Sequence, residues 1–121
     1  GYAGRDAEGD IMRLVRAEEG QRQAPSPPAG AAPAPTPAAP APTALDHLAD
    51  ARRAVHAMHV APAIEHYIVD LIQATREPAR VGEDVGRWIE VGASPRGTIA
   101  LDRCARTRAW LQGRDFVGPD D

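Results

Sequence analysis

The sequence predicts an all-α fold, a small helical bundle, and three observations lead there. Apolar residues recur at helical spacing in four stretches, most cleanly at Ile64, Tyr67, Ile68, Leu71, Ile72 and Thr75. Helix start and stop signals bracket these stretches, with Thr43–Asp46, Ala61–Pro62 and Ser94–Pro95 as starts and Pro78 and Gly113 as ends. The one β feature expected is a very short strand pair near Val60 and Phe116.

Residues 1–22 hold a first amphipathic helix, with Ala7, Ile11, Leu14 and Val15 on one face and Asp6 and Glu8 near the positive end of its dipole. A helix this short is marginal in water, so it must dock on something. Residues 23–43 carry no charge and no large apolar side chain, and hold eight of the chain's twelve prolines. They are expected to form a disordered, semi-extended linker inserted in a loop that tolerates length. The P-x-x-P spacing of PAPTP also fits a recognition ligand, but such ligands usually carry a basic flank, which this tract lacks.

From residue 44 to 121 the chain is expected to be compact and helical. Thr43 and Asp46 form a capping box for a helix over Ala44–His56, with Leu45, Leu48, Ala49 and Val55 on one face. The Ile64 stripe marks a helix from Pro62 to Pro78. Ala79 to Ala93 looks like a looser connector containing Trp88 and Ile89. The last long helix runs from Pro95 to Gln112, with Leu101, Cys104, Ala105 and Leu111 toward the core and Ile99 and Trp110 opposite, as in a helix sandwiched between neighbours. Gly118-Pro119-Asp120-Asp121 has the form of a further helix start, cut off, which suggests a piece of a longer protein.

Composition narrows the function classes. The 121 residues suit one domain, and 14 basic against 17 acidic residues give a net charge of −3. Every basic residue is Arg, so Arg in place of Lys says little at any one position. The acidic balance is unlike a nucleic-acid footprint. A single cysteine, Cys104, excludes an internal disulfide framework and fits a reducing compartment. No apolar run approaches the ~20 residues that span a bilayer, and the N-terminus lacks a signal-peptide layout, so a cytoplasmic chain is expected with no membrane partner.

No catalytic constellation is visible. His47, His56, His59 and His66 include one H-x-x-H pair, but two ligands do not make a structural zinc site, so no metal is expected. Cys104 is placed on the core side of its helix with no base beside it. Walker A, G-x-G-x-x-G and G-x-S-x-G patterns are absent.

The informative stretch is Gly92-Ala93-Ser94-Pro95-Arg96-Gly97. Ser94 suits an N-cap and Pro95 the first helical position. Arg96 then falls in the first turn, where a cation is disfavoured by about 0.3–1 kcal/mol. Two readings stand side by side: a solvated arginine that tolerates the position, or a guanidinium that joins the first-turn N–H groups in holding a phosphate. Gly92 and Gly97 would let another backbone or a nucleotide approach.

These residues carry a family resemblance. Gly92-Ala93-Ser94-Pro95-Arg96, the helix after it, then Gly113-Arg114-Asp115-Phe116-Val117 and Pro119-Asp120-Asp121, resemble the C-terminal lid of MoxR-type AAA+ ATPases. The Tyr67–Leu71 helix ending at Thr75-Arg76 fits the preceding family segment, and Gly1-Tyr2 resembles the stretch where the ATPase core hands over to the lid. The likeness covers 1–19 and 44–121. Gly97 and Ala3 depart from the usual residues, and the Pro/Ala tract is not a family feature.

The resemblance implies an AAA+ lid-type helical bundle in which Arg96 is the sensor-2 arginine, reading the γ-phosphate of ATP, with Ser94 and Pro95 setting the helix start that aims it. It further implies ATP and Mg2+ as cofactors of a longer parent whose Walker motifs lie upstream, and no nucleotide affinity for this segment alone. Implied partners are the parent's own core domain, neighbouring protomers in a hexamer and a von Willebrand factor A domain protein, in chaperone-like maturation of protein complexes. Two other classes remain open: a DNA-binding module with Pro95–Gln112 as recognition helix presenting Arg96, Arg103 and Arg106, and a pure protein-interaction module in which Arg96 is dispensable.

Overall fold

A computed structural model describes residues 4–24 and 43–121. The expected linker falls almost wholly outside the described residues, as does Gly1-Tyr2. Among the described residues six helices follow in order: α1 (Arg5–Gln23), α2 (Ala44–His56), α3 (Pro62–Arg76), α4 (Pro78–Val81), α5 (Glu83–Trp88) and α6 (Pro95–Leu111). The bundle is all-α. α3 and α6 pack together, α1 lies against both, and α2 bridges α1 and α6, so α6 is sandwiched as its two-sided apolar pattern predicts.

The local signals act where the chain places them. The Thr43 hydroxyl accepts from Asp46 N–H at 3.3 Å while the Asp46 carboxylate accepts from Thr43 N–H at 2.7 Å, a complete capping box. Gly113 sits at φ 73°, and its N–H donates to Trp110 C=O at 2.9 Å, while Arg114 N–H reaches Ala109 C=O at 3.0 Å. That pair of bonds is a Schellman ending, which needs a left-handed residue and therefore favours glycine.

The turn aims the C-terminal segment back across α6. There His59 and Phe116 form one parallel bridge, with His59 N–H donating to Asp115 C=O at 3.0 Å and Val117 N–H to His59 C=O at 2.9 Å. The expected strand pair is thus a single bridge, too short to be a strand. Beneath it Met58, Ala105, Ala109 and Val117 form an apolar cluster flanked by Val60 and Ile64. From Gly118 to Asp121 the chain forms a turn closed by Gly118 N–H on the Asp121 carboxylate at 2.8 Å.

Several expectations are corrected. The 79–93 connector contains the short helices α4 and α5, which pack on each other. Cys104 is exposed rather than facing the core, which at that turn is lined by Ala105. On α3, Val69 is buried, whereas Tyr67 and Leu71 at the edges of the stripe are exposed. The largest departure is in α1: Ile11 and Leu14 are exposed, and the residues that go inside are Glu8, Gly9 and Met12.

Candidate functional site

What α1 buries is charge. Glu8 is 1% exposed and holds a bidentate pair with Arg76 at the end of α3, the longer of whose two hydrogen bonds is 2.6 Å. The same carboxylate accepts from Thr98 Oγ1 at 2.5 Å and Gln73 Nε2 at 2.9 Å. Burial alone would push the Glu8 carboxyl up, but the hydrogen bonds from Arg76, Thr98 and Gln73 and the Arg76 charge outweigh it, so its pKa lies below the usual value. Two turns on, Arg16 bridges Glu65 at 2.6 Å and Asp102 at 2.5 Å, and Asp102 also accepts from the buried Arg106 at 2.8 and 3.1 Å. Burial disfavours the Arg16 cation, yet the bonds and charges of Asp102 and Glu65 prevail and raise its pKa.

This network fastens the start of α6. Arg76 Nε donates to Ala93 C=O at 2.7 Å, and Ala93 N–H donates to Thr75 Oγ1 at 2.9 Å, whose hydroxyl in turn donates to Ile72 C=O at 2.7 Å. Gly92 packs so closely on the end of α3 that a Cβ would stand 2.7 Å from the Arg76 Cα and 2.8 Å from Thr75 C=O. The space at Gly92 is therefore taken by α3 and not left for a ligand. At Gly97 a Cβ would be 3.2 Å from the Ala93 Cβ, a tight contact within the same turn.

Ser94 occupies the N-cap at φ −75° and ψ 167°, and Pro95 the first helical position, as expected, but the Ser94 side chain makes no capping bond. Pro95 has no N–H, and Gly97 N–H donates to Ser94 C=O at 2.8 Å. The first turn consequently offers an anion fewer free donors than its position suggests. Arg96 is exposed and has no hydrogen-bond or ion-pair partner among the described residues. An unpaired guanidinium thus stands at the positive end of a rigidly seated helix.

The other two arginines proposed for a DNA-reading helix are committed elsewhere. Arg106 is 2% exposed and tied to Asp102, and Arg103 is tied to Glu19. The helix does not present the three together. Among the described residues, no three His, Cys, Asp or Glu gather in a way that could hold a metal ion.

Residues 83–121 match the AAA lid domain family, a span that contains all of α6 and its start. MoxR of Methylorubrum extorquens is 45% identical over 71 residues, covering 54% of this chain and 21% of that protein. MoxR of Paracoccus denitrificans is 46% identical over 68 residues, covering 52% and 20% respectively. Residues 83–121 are thus an AAA lid segment, and the chain is similar to part of the MoxR proteins. A protein named chaperone MoxR1 in Mycobacterium tuberculosis is 42% identical over 60 residues, covering 49% of the lid chain and 16% of its own length. The chain therefore spans about a fifth or less of these relatives. No solved structure matches it. Among the described residues, no helix of the lid is long and apolar enough to cross a membrane.

Sequence reading missed the polar network, although a signal for it exists. Glu8, Met12 and Arg16 are spaced by four; so are Thr98, Asp102 and Arg106; and Glu65, Val69, Ile72 and Arg76 lie at i, i+4, i+7 and i+11. Each set is one helical stripe carrying both polar and buried positions. Three such stripes can bury their charges only if they face one another.

Proposed function

We propose that this lid serves a MoxR-type AAA+ ATPase and that Arg96 is its sensor-2 arginine, contacting the γ-phosphate of ATP bound on a core domain. The carrying observation is Arg96 itself: exposed, without a partner among the described residues, and set by a buried network at a helix start where only an anion makes a cation favourable. Ser94 and Pro95 set the first turn, and Glu8, Thr75 and Arg76 hold the loop before it against α3. A guanidinium so placed can donate two parallel N–H groups to a phosphate as charge develops in transfer.

One guanidinium and a few amides do not replace a phosphate loop, so ATP and Mg2+ belong on the core domain of the longer protein, and the lid alone should not bind ATP usefully. A hexameric ring, a von Willebrand factor A domain partner and a cytoplasmic location are part of the same reading, as is chaperone-like maturation of protein complexes, for which the name chaperone MoxR1 of one relative is the support. We also take residues 1–22 as the first lid helix, 23–43 as an inserted linker and 44–121 as the rest of the lid. Limited proteolysis should then cut between Gly20 and Ala44 and leave both pieces together on gel filtration, because Arg16, Glu8 and their partners cross that division.

The test of Arg96 is steady-state ATP hydrolysis by the full-length product carrying Arg96→Ala, with nucleotide affinity measured separately. We expect hydrolysis to slow by about 10- to 1000-fold with affinity largely kept. Lys should restore activity only in part, because a point charge lacks the planar fork. Wild-type turnover in Arg96→Ala would remove the sensor role.

A further inference from the structure

On the side of α6 remote from its start, the end of α1, residues 48–56 of α2 and the last turns of α6 enclose an open groove of about 510 Å³. Its floor is apolar, made by Leu48, Ala51, Val55 and Trp110. Leu48 and Trp110 remain 48% and 36% exposed, and α2 fully buries none of its residues although it is well capped and carries an apolar stripe. Such a face normally finds a partner.

The rim is mainly basic. Arg22, Arg52, Arg103 and the buried Arg106 line the groove; Glu19, the one acid among the lining residues, is engaged by Arg103 and Arg106, and Arg106 is also tied to Asp102, so Arg22 and Arg52 carry the charge open to a partner. Arg52 has no partner among the described residues, and Arg22 approaches Glu18 no closer than 3.8 Å. The groove is a basic exception on a chain of net charge −3. Gln23 Oε1 and His56 Nδ1 also belong to residues lining it, and both atoms are buried without a hydrogen-bond partner among the described residues. An apolar floor beside an arginine rim suits an occupant with both apolar and acidic groups.

We propose that the groove is a docking site for an amphipathic helical segment of a protein partner, in which acidic residues flank an apolar stripe. The stripe lies on Leu48, Val55 and Trp110, and the carboxylates pair with Arg22 and Arg52 across the rim. This is helix-in-groove recognition with charge complementarity choosing the partner. It stands on the groove alone and is independent of the role of Arg96.

The chain contains two tryptophans, so Trp88→Phe leaves Trp110 as the reporter at the groove. The probe is a synthetic capped helix of about four turns with Leu at i, i+3, i+4 and i+7 and Glu on both flanks. Its addition should give a saturable change in Trp110 emission that weakens as salt rises. Arg52→Glu and Leu48→Asp, both at exposed positions that leave circular dichroism unchanged, should each weaken binding about tenfold or more. Equal binding of a scrambled peptide of the same composition would overturn the proposal, as would wild-type affinity in both variants. So would an equal response to mixed-sequence duplex DNA, which would make the rim a general anion surface. Binding that appears only after residues 25–42 are deleted would assign the groove to that tract instead.

Discussion

Two interiors of very different chemistry hold this lid together. Where α1 meets α3 and α6, Glu8, Arg16, Glu65, Arg76, Thr98 and Asp102 exchange short directional bonds. Around the His59–Phe116 bridge, the side chains of Met58, Ala105, Ala109 and Val117 form an apolar cluster. The polar interior adjoins the start of α6 and the apolar one adjoins its end. The difference is one of tolerance: apolar contact is non-directional and accepts small shifts, whereas a bidentate ion pair on a buried carboxylate accepts almost none. A helix start that must aim a guanidinium is held by the interaction type that fixes orientation. The C-terminal segment, which needs only to be covered, is held by the other.

Breaking the polar interior should have the largest effect. Glu8→Ala leaves the Arg76 guanidinium, 5% exposed, without its carboxylate, and about 3–5 kcal/mol of unfolding free energy should be lost in urea denaturation. A loss below about 1 kcal/mol would mean that the pair is solvated and the contrast empty. The same pair sets an acid limit. The Glu8 pKa is lowered on folding, so its contribution is present above the unfolded value near 4.5 and is lost as the pH falls through the lower folded value. Asp121, its pKa held at about 2 by hydrogen bonds from Arg114 and Gly118 N–H, adds a second such loss as the pH falls from its unfolded value of 3.8 through about 2. Stability should thus be flat from neutrality to about pH 5 and fall below it. Glu8→Gln should show a shallower fall than wild type.

The apolar interior should respond more gently. Ala109 is fully buried, so Ala109→Leu overfills the cluster and should cost about 1–3 kcal/mol by thermal unfolding without disturbing the α6 start. Chemical-shift changes confined to residues near the bridge would sharpen the comparison, and changes reaching Ala93 would break it.

Arg96→Ala in this chain should have the smallest effect. Removing an exposed, unpaired cation from the positive end of a helix should be neutral or stabilising by no more than about 1 kcal/mol. Clear destabilisation would reveal a structural role and weaken its assignment as a phosphate reader.

Local chemistry was legible in the residues. The Thr43–Asp46 box, Pro62 and Pro95 at first helical positions and the Gly113 ending act over three or four neighbours, and each appears in the structure where the chain signals it. The Ser94–Pro95–Arg96 start was legible for the same reason. The short α4 and α5 were not, because four to six residues carry too little periodicity to register.

What the sequence determined by itself was the four long helices, where they start and stop, and the position of Arg96 in a first turn, because caps, prolines and glycines act through bonds a few residues long. Tertiary structure alone decided that Glu8, read as an acid suited to a helix dipole, is instead the hub joining α1, α3 and α6. It likewise decided that Cys104 faces outward and that Arg106 is buried while Arg96 is exposed and unpaired among the described residues. A charge goes inside only where a partner 68 or 90 residues away arrives to pair with it, and no pattern within one helix records that arrival.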